Sequence, residues 1–423
     1  MFRLTQTRLR TAGVLFFAVQ FYLTIFGGFL WPFSSHRLFS QLPERNKWIV
    51  QARVTDTQNV TQYVHPGRVI PLEYSRCSGL VRNIFKSSHK LPFRNYVLSR
   101  INKEPWTAFD EMFPMVQASP SSVFTSVAFV EQLVEFGKDG SLTVLEVRNV
   151  SERPRSPFKP SVSYFPKMLY AAATVILAQM TYRNNLLAKW VNGQNPARVP
   201  SLRKCLYFAV LVLVSWGPGE FYRDTDRFLY NCRVQSLGSN FDTVRAGLIS
   251  TCIVNYLRYS KLGHGVFAGL LIRYMYHITC FSTSYWITNT HLLWLACIMC
   301  LPPRYNKFIV AWATAYFSFM YLQAGLSKLL LGGLSWFTTG SRIWTETILL
   351  GTPFGKYMTR WPELFAPAGW VTGIFEIMLV PLLLSDRYKR QVAVCAVVFH
   401  LSTFVMMGIS FWFAWIFYWG LYA

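Results

Sequence analysis

Lys328 is the residue with the clearest chemical potential, because it stands inside the apolar run of residues 321–329. A lysine at membrane depth costs about 2.5 to 3.5 kcal/mol on insertion scales, so an ionisable side chain there indicates a functional site. His291 stands at the edge of the preceding apolar segment. An amine that is removed from water beside an imidazole favours its neutral form and can accept a proton. The two residues predict a general base, Lys328, assisted by His291.

The simpler interpretation of Lys328 is a long side chain that reaches from a helix end to the membrane interface. Its neighbours also suit a site, since Tyr321, Gly325 and Lys328 share one helical face by the three-and-four spacing. Small residues such as Gly325 let a neighbouring helix or a flat ligand approach closely. Both interpretations stay open at the level of sequence.

The elements that must position these residues are membrane helices, as the composition indicates. Of the 423 residues, 52% are hydrophobic and only 14% are charged, and the mean hydropathy is +0.26. The net charge of +23 comes largely from lysines and arginines in short loops between apolar runs, where such residues orient helices. No nucleic-acid-binding motif accompanies the charge. We expect a mainly α, polytopic membrane protein whose partner is the lipid bilayer, with no nucleic acid bound.

The eight cysteines are too few and too irregular for a disulfide scaffold or a zinc framework, so we expect no metal site. Cys297 and Cys300 form a C-x-x-C pair, but the pair falls within an apolar helix, where cysteines are usually inert.

Three segments organise the chain. Residues 1–33 form a membrane anchor, because the apolar run at 12–31 follows three arginines and lacks the small-residue cleavage site of a signal peptide. Residues 34–163 predict a small α+β domain, with strands near 48–54 and 141–147. An amphipathic helix is expected between them, capped by Ser121 or Ser122 and running through Glu135.

Residues 164–423 predict a multi-span helical domain. The apolar runs lie at residues 164–182, 205–216, 244–257, 266–278, 287–301, 308–326, 370–384 and 392–421. With the anchor they make about nine spans. Alternation places the basic loops at 183–204, 258–261, 304–307 and 386–390 on the cytoplasmic side with the N-terminus, and residues 34–163 outside. His291 and Lys328 then lie at the same depth, near the outer face.

Five short motifs follow one another over about residues 242–423. They read NTHLLW at 289–294, LPP at 301–303, AGLSKL at 324–329 with Trp336 and Gly340 after it, FE at 375–376 and FHL at 399–401. Their order and spacing resemble the HTTM family, the membrane fold shared with vitamin K-dependent γ-glutamyl carboxylase. The asparagine two positions before the histidine, and the lack of a large carboxy-terminal lumenal domain, depart from the carboxylase.

The resemblance implies a chemistry. In the carboxylase the matching lysine deprotonates a reduced naphthoquinone, and the epoxidation that follows yields a base that removes a glutamate γ-proton before carbon dioxide adds. Carried over, Lys328 is the base and His291 its partner. The cosubstrate is a reduced quinone of the vitamin K or menaquinone type, and the substrate is a secreted peptide. The candidate cofactor-binding residues are Tyr321, Gly325, Trp336, Glu376, His400 and Arg273.

Several of these residues keep a second interpretation. Glu376 and His400 also suit helix packing, and Arg273, one turn before His277, also suits interfacial anchoring. The run at 31–40 resembles a stretch in small extracytoplasmic partners of bacterial HTTM proteins, including the machinery that matures a sporulation-delaying peptide toxin, which implies a bacterial cell membrane. The chain is therefore either a quinone-dependent enzyme that modifies a peptide, or a non-catalytic maturation, export or immunity factor on the same fold.

Overall fold

The computed structural model describes residues 6–26, 29–30, 33–34, 46–64, 81, 90–103, 123–137, 141–150, 186–216, 240–281, 283–384, 386–408, 416–417 and 420–421. Over these residues the protein is mainly helical with a small sheet, as the sequence predicts. The apolar run at 164–182 lies outside the described residues.

Several helices coincide with the apolar runs, with bounds that differ by a few residues or more. The helices are α1 (Gln6–Phe26), α2 (Lys90–Lys103), α3 (Leu186–Asn192), α4 (Arg198–Trp216), α5 (Phe241–Leu257), α6 (Lys261–Phe281), α7 (Thr283–Ile298), α8 (Asn306–Thr339), α9 (Ser341–Leu350), α10 (Pro353–Met358), α11 (Phe365–Leu384) and α12 (Lys389–Met407). Within the described residues, two helical segments are long and apolar enough to cross a membrane, Pro303–Leu330 and Lys389–Met407. The predicted count of about nine spans is not confirmed.

The sheet consists of four antiparallel strands in the order β4-β3-β5-β6. The short pair β1 (Phe29–Leu30) and β2 (Phe33–Ser34) stands apart from it; the sheet strands are β3 (Asn46–Asp56), β4 (Thr61–Val64), β5 (Phe124–Phe136) and β6 (Leu142–Asn149). The predicted strands near 48–54 and 141–147 are confirmed.

The helix predicted from Ser121 or Ser122 through Glu135 is wrong, because β5 occupies most of that stretch. β5 pairs with β3 along one edge and with β6 along the other, so it is a central strand of the sheet. Phe129 and Val130, which point to opposite faces, are both buried. The apolar residues of this stretch have the three-and-four spacing of a helix because β5 is a central strand with apolar residues on both faces.

α8 is the central helix of the helical part. α1 packs against it and against α7 through aromatic rings, with Phe16 at 4.6 Å from Trp294 and 5.4 Å from Trp312 between ring centroids. Gln323 of α8 donates from Nε2 to the carbonyl oxygen of Gln20 at 2.9 Å. These contacts hold α8 in a largely buried position.

α8 extends well beyond the apolar run that predicted it. Its axis kinks at Gly333, whose φ of 64° and ψ of −168° suit glycine alone. The helix ends at Gly340, with φ of 60°, where a Cβ would overlap the backbone carbonyl of Phe365 at the start of α11. The kink and this close approach bring the end of α8 and the short helix α9 onto α11, while α10 packs on the end of α12, where Gly355 approaches the carbonyl of Met406.

The sheet touches this region through α9. Ile49 of β3 and Val134 of β5 form one buried cluster with Leu349, and the rings of Phe136 and Trp344 lie 6.5 Å apart. The end of the sheet therefore packs on the helix that follows α8.

Candidate functional site

Lys328 and Glu376 form a buried ion pair between α8 and α11. The Lys328 Nζ lies 2.8 Å from Oε1 and 2.7 Å from Oε2 of Glu376, and the two side chains are 5% and 8% exposed. The resemblance predicts Glu376 to be a cofactor-binding residue, whereas the structure makes it the direct partner of Lys328. The lysine does not snorkel to an interface here, since both carboxylate oxygens accept from it inside the protein.

Gly325 makes this pair sterically feasible. A Cβ on Gly325 would come within 2.8 Å of Cγ1 of Ile377 and 3.0 Å of Cβ of Glu376. A larger residue would therefore push α11 away one turn from Lys328. The role predicted for Gly325, close approach of a neighbour, is filled by α11.

The indole of Trp336 covers the other side of the ammonium group. The Lys328 Nζ lies 5.2 Å from the ring centroid, within the range of a cation–π contact, and Trp336 is buried. The ammonium group thus contacts a carboxylate and an aromatic face in a site with little water.

Tyr321 and His400 form a second polar contact, which joins α8 to α12. The Tyr321 hydroxyl and His400 Nε2 share a hydrogen bond, and both residues are buried. Tyr321 also packs edge-on against Phe375 at 5.4 Å, and Phe375 stacks on Phe399 at 4.6 Å. The result is an aromatic wall beside the ion pair.

These residues line one large cavity of about 1100 Å³. Its wall includes the following polar or aromatic members: Tyr321, Lys328, Trp336, Phe375, Glu376 and His400. Most of the remaining wall is aliphatic. A cavity of this size and composition, with few converging polar groups, is typical of a small-molecule site.

The cavity reaches the outer surface of the helices between α11 and α12. Ile374 and Met378 of α11, and Val394 and Val398 of α12, line the cavity and are also more than half exposed. Apolar side chains that serve both as cavity wall and as exposed helix face indicate an opening on the exposed side of these two helices. A ligand with a long apolar part fits such an opening.

The structure does not bring His291 to Lys328. The imidazole is buried between the rings of Phe317 and Phe417, at 5.8 and 5.7 Å. Phe317 precedes Lys328 by eleven residues on α8, which is about 16 Å along the helix axis. The contacts of Lys328 are Glu376 and Trp336, so the predicted lysine–histidine pair is corrected to a lysine–glutamate pair.

Arg273 also lies away from this site. It belongs to α6, where His277, one turn later, is buried against Phe241 with ring centroids 5.1 Å apart. Neither Arg273 nor His277 lines the cavity. Over the part of the chain that the structure describes, no group of three His, Cys, Asp or Glu residues could hold a metal ion.

The chain matches no protein-family model, and the searches of curated proteins and solved structures gave no match either. The site must be interpreted from its own geometry.

Sequence analysis missed the charged residues of α9. Arg342 and Glu346 form an i,i+4 pair with 2.6 Å between an arginine terminal nitrogen and Oε1, and both line the cavity. Two signals were present in the sequence: the arginine–glutamate spacing itself, and Gly340 as a helix terminator before it.

Proposed function

We propose that the protein is a membrane-embedded enzyme that uses a reduced quinone, of the vitamin K or menaquinone type, and oxygen to modify a secreted peptide. It would resemble vitamin K-dependent carboxylase and the HTTM family in this respect. The observation that carries the proposal is the ion pair of Lys328 and Glu376 on the wall of a large apolar cavity that opens on exposed helix faces.

The proposed setting is a bacterial cell membrane crossed by about nine spans, with the N-terminus inside and residues 34–163 outside. The basic loops support this orientation. In it Lys328 lies toward the outer end of α8, on the side where a secreted peptide would be met.

The residues of the cavity fit a quinone. Phe375 and Phe399 offer a stacked aromatic wall to a flat ring, and the opening between α11 and α12 leaves room for an apolar tail. A reduced quinone, when bound, would supply a weakly acidic hydroxyl and reducing equivalents for reaction with oxygen.

Lys328 and Glu376 can take up the proton of such a hydroxyl by either of two routes. Transfer within the pair gives an amine at Lys328, which accepts the proton; alternatively the Glu376 carboxylate accepts it directly. Both routes end with a carboxylic acid at Glu376 and an ammonium at Lys328, beside the negative charge left on the ligand oxygen. Glu376 thus takes the assisting role that the resemblance gave to His291.

Tyr321 and His400 act as positioning residues in this proposal. Their hydrogen bond fixes α12 against α8, two helical turns from Lys328, and the phenol ring supports Phe375. Arg273 and His291 have no part in the proton transfer.

The second candidate is a non-catalytic maturation, export or immunity factor. One observation favours it: Lys328 already makes a bidentate contact and a cation–π contact, which is how a purely structural buried pair is satisfied. The two candidates differ in whether the cavity turns over a ligand.

The experiment reconstitutes the purified protein with a short-chain reduced menaquinone and measures oxygen-dependent product by chromatography and mass spectrometry. Wild type should form oxidised or epoxidised product. Lys328→Ala should lose it by either route. Lys328→Arg separates the two routes, because arginine does not give up its proton: the amine route predicts loss of product, and direct acceptance by Glu376 predicts that product remains. Lys307→Ala, at an exposed lysine of the same helix, is the matched control. No product from wild type would favour the non-catalytic candidate, and full activity of Lys328→Ala would refute the role proposed for the pair.

A further inference from the structure

The cavity has a second ionic group, on α9, that the proton chemistry does not use. Arg342 and Glu346 both line the wall, with side chains 17% and 4% exposed, and they contact each other at 2.6 Å. The wall therefore carries two cations and two carboxylates, in two separate pairs contributed by α8 with α11 and by α9.

Lys328 and Arg342 differ in how many of their N–H donors have a partner. Lys328 donates to both oxygens of Glu376 and faces the indole of Trp336. A guanidinium has five N–H donors, and the salt bridge of Arg342 engages a terminal nitrogen. Its Nε is buried and, among the described residues, has no hydrogen-bond acceptor. The remaining N–H groups of the terminal nitrogens, on a side chain that is 17% exposed and lines the cavity, leave Arg342 capacity for a further anionic partner there.

α9 holds Arg342 in a fixed place. The close approach of Gly340 to Phe365 anchors the start of the helix on α11, and Leu349 anchors its end in the cluster with the sheet. Glu346, one turn after Arg342, keeps the guanidinium on the cavity side of α9. A rigid arginine with spare donors at the edge of an apolar cavity is a suitable site for a carboxylate or phosphate.

We propose that Arg342 binds the anionic head group of a membrane amphiphile whose apolar chain lies in the cavity. The ligand is a lipid with a carboxylate or phosphate group rather than an acidic peptide, because the cavity opens between α11 and α12 through exposed aliphatic residues. This site does not depend on the proton chemistry of Lys328, so binding and turnover can fail separately.

The test measures binding to purified protein in nanodiscs of neutral phosphatidylcholine, with hexadecyl phosphate, hexadecanol and inorganic phosphate as probes. Wild type should bind hexadecyl phosphate at least tenfold more tightly than hexadecanol, and inorganic phosphate alone should not bind. Arg342→Gln should reduce the ratio to about one. Arg360→Gln changes an exposed arginine just after α10 and should keep the wild-type ratio.

Glu346→Gln provides a second variant with the opposite expectation. It frees the guanidinium from its carboxylate, so binding of hexadecyl phosphate should tighten by several-fold. A purely structural pair predicts equal affinity for the charged and neutral probes in every variant, and that result would overturn the proposal. Binding of a short glutamate-containing peptide through Arg342, without binding of hexadecyl phosphate, would overturn the lipid assignment.

Discussion

Removing the charges of Lys328 and Glu376, singly and together, tests whether the pair is present for stability or for function. Both side chains are over nine-tenths buried, so Lys328→Met or Glu376→Leu alone leaves one buried charge without its partner. Each single change should cost about 3–5 kcal/mol of unfolding free energy. If the two residues did not interact, the costs of the two single changes would add, and the double variant would lose about 6–10 kcal/mol of unfolding free energy. We expect instead that Lys328→Met with Glu376→Leu lies near wild type, because no unpaired charge remains.

The assay is a reversible unfolding titration in mixed micelles, followed by circular dichroism, with quinol turnover measured on the same preparations. Lys307→Met with Glu363→Leu, at two exposed positions, is the matched control and should change stability by less than about 0.5 kcal/mol. The double variant should be folded and inactive. Single variants that each cost under about 1 kcal/mol would refute the buried-pair reasoning. A folded double variant with full turnover would refute the catalytic role.

Three further predictions concern packing, pH and orientation. Gly325→Ala should destabilise the protein by about 1–3 kcal/mol, because the new methyl group overlaps α11, whereas Gly269→Ala, where a Cβ meets nothing within 4 Å, should be neutral or stabilising in the same unfolding assay. Burial lowers the pKa of Lys356 on α10 to about 8 from 10.5. The folded protein then binds fewer protons than the unfolded chain between about pH 8 and 10.5, so the unfolding free energy should rise with pH across that window; an equal rise in Lys356→Met would contradict this assignment. In intact cells, a thiol reagent that does not cross the membrane should label a single cysteine placed at Ser141 and spare one placed at Asn195, both of which are exposed, and the reverse pattern would overturn the orientation.

The sequence identified Lys328 because the cost of placing an ammonium group in an apolar helix is local and can be judged from a few neighbours. Its partner could not be derived in the same way. Glu376 lies 48 residues further on, and the pairing of α8 with α11 depends on tertiary packing around Gly325. The FE motif at 375–376 identified Glu376 as a site residue, but it did not predict the ion pair with Lys328.

The prediction for His291 rested on membrane depth, and depth does not fix the direction in which a side chain points. The imidazole packs against the rings of Phe317 and Phe417, about three turns from Lys328 along α8. The helix predicted at 121–135 failed for a related reason. An apolar spacing that suits one face of a helix is equally produced by a central strand, and the pairing of β5 with β3 and β6 decides between them.

Stability alone does not account for the pair of Lys328 and Glu376. Well-packed apolar residues in place of a buried ion pair are commonly neutral or more stable, by about 1–4 kcal/mol. The adjoining cavity of about 1100 Å³ also leaves a large, accessible apolar surface between α11 and α12, and an exposed apolar surface of this kind usually marks a binding site. The structure places these two features side by side, and a ligand that fills the cavity and exchanges a proton with the pair explains both. Saturating hexadecanol or a reduced quinone should therefore raise the unfolding midpoint of wild type, and the absence of any shift would show that the cavity has no ligand of this class.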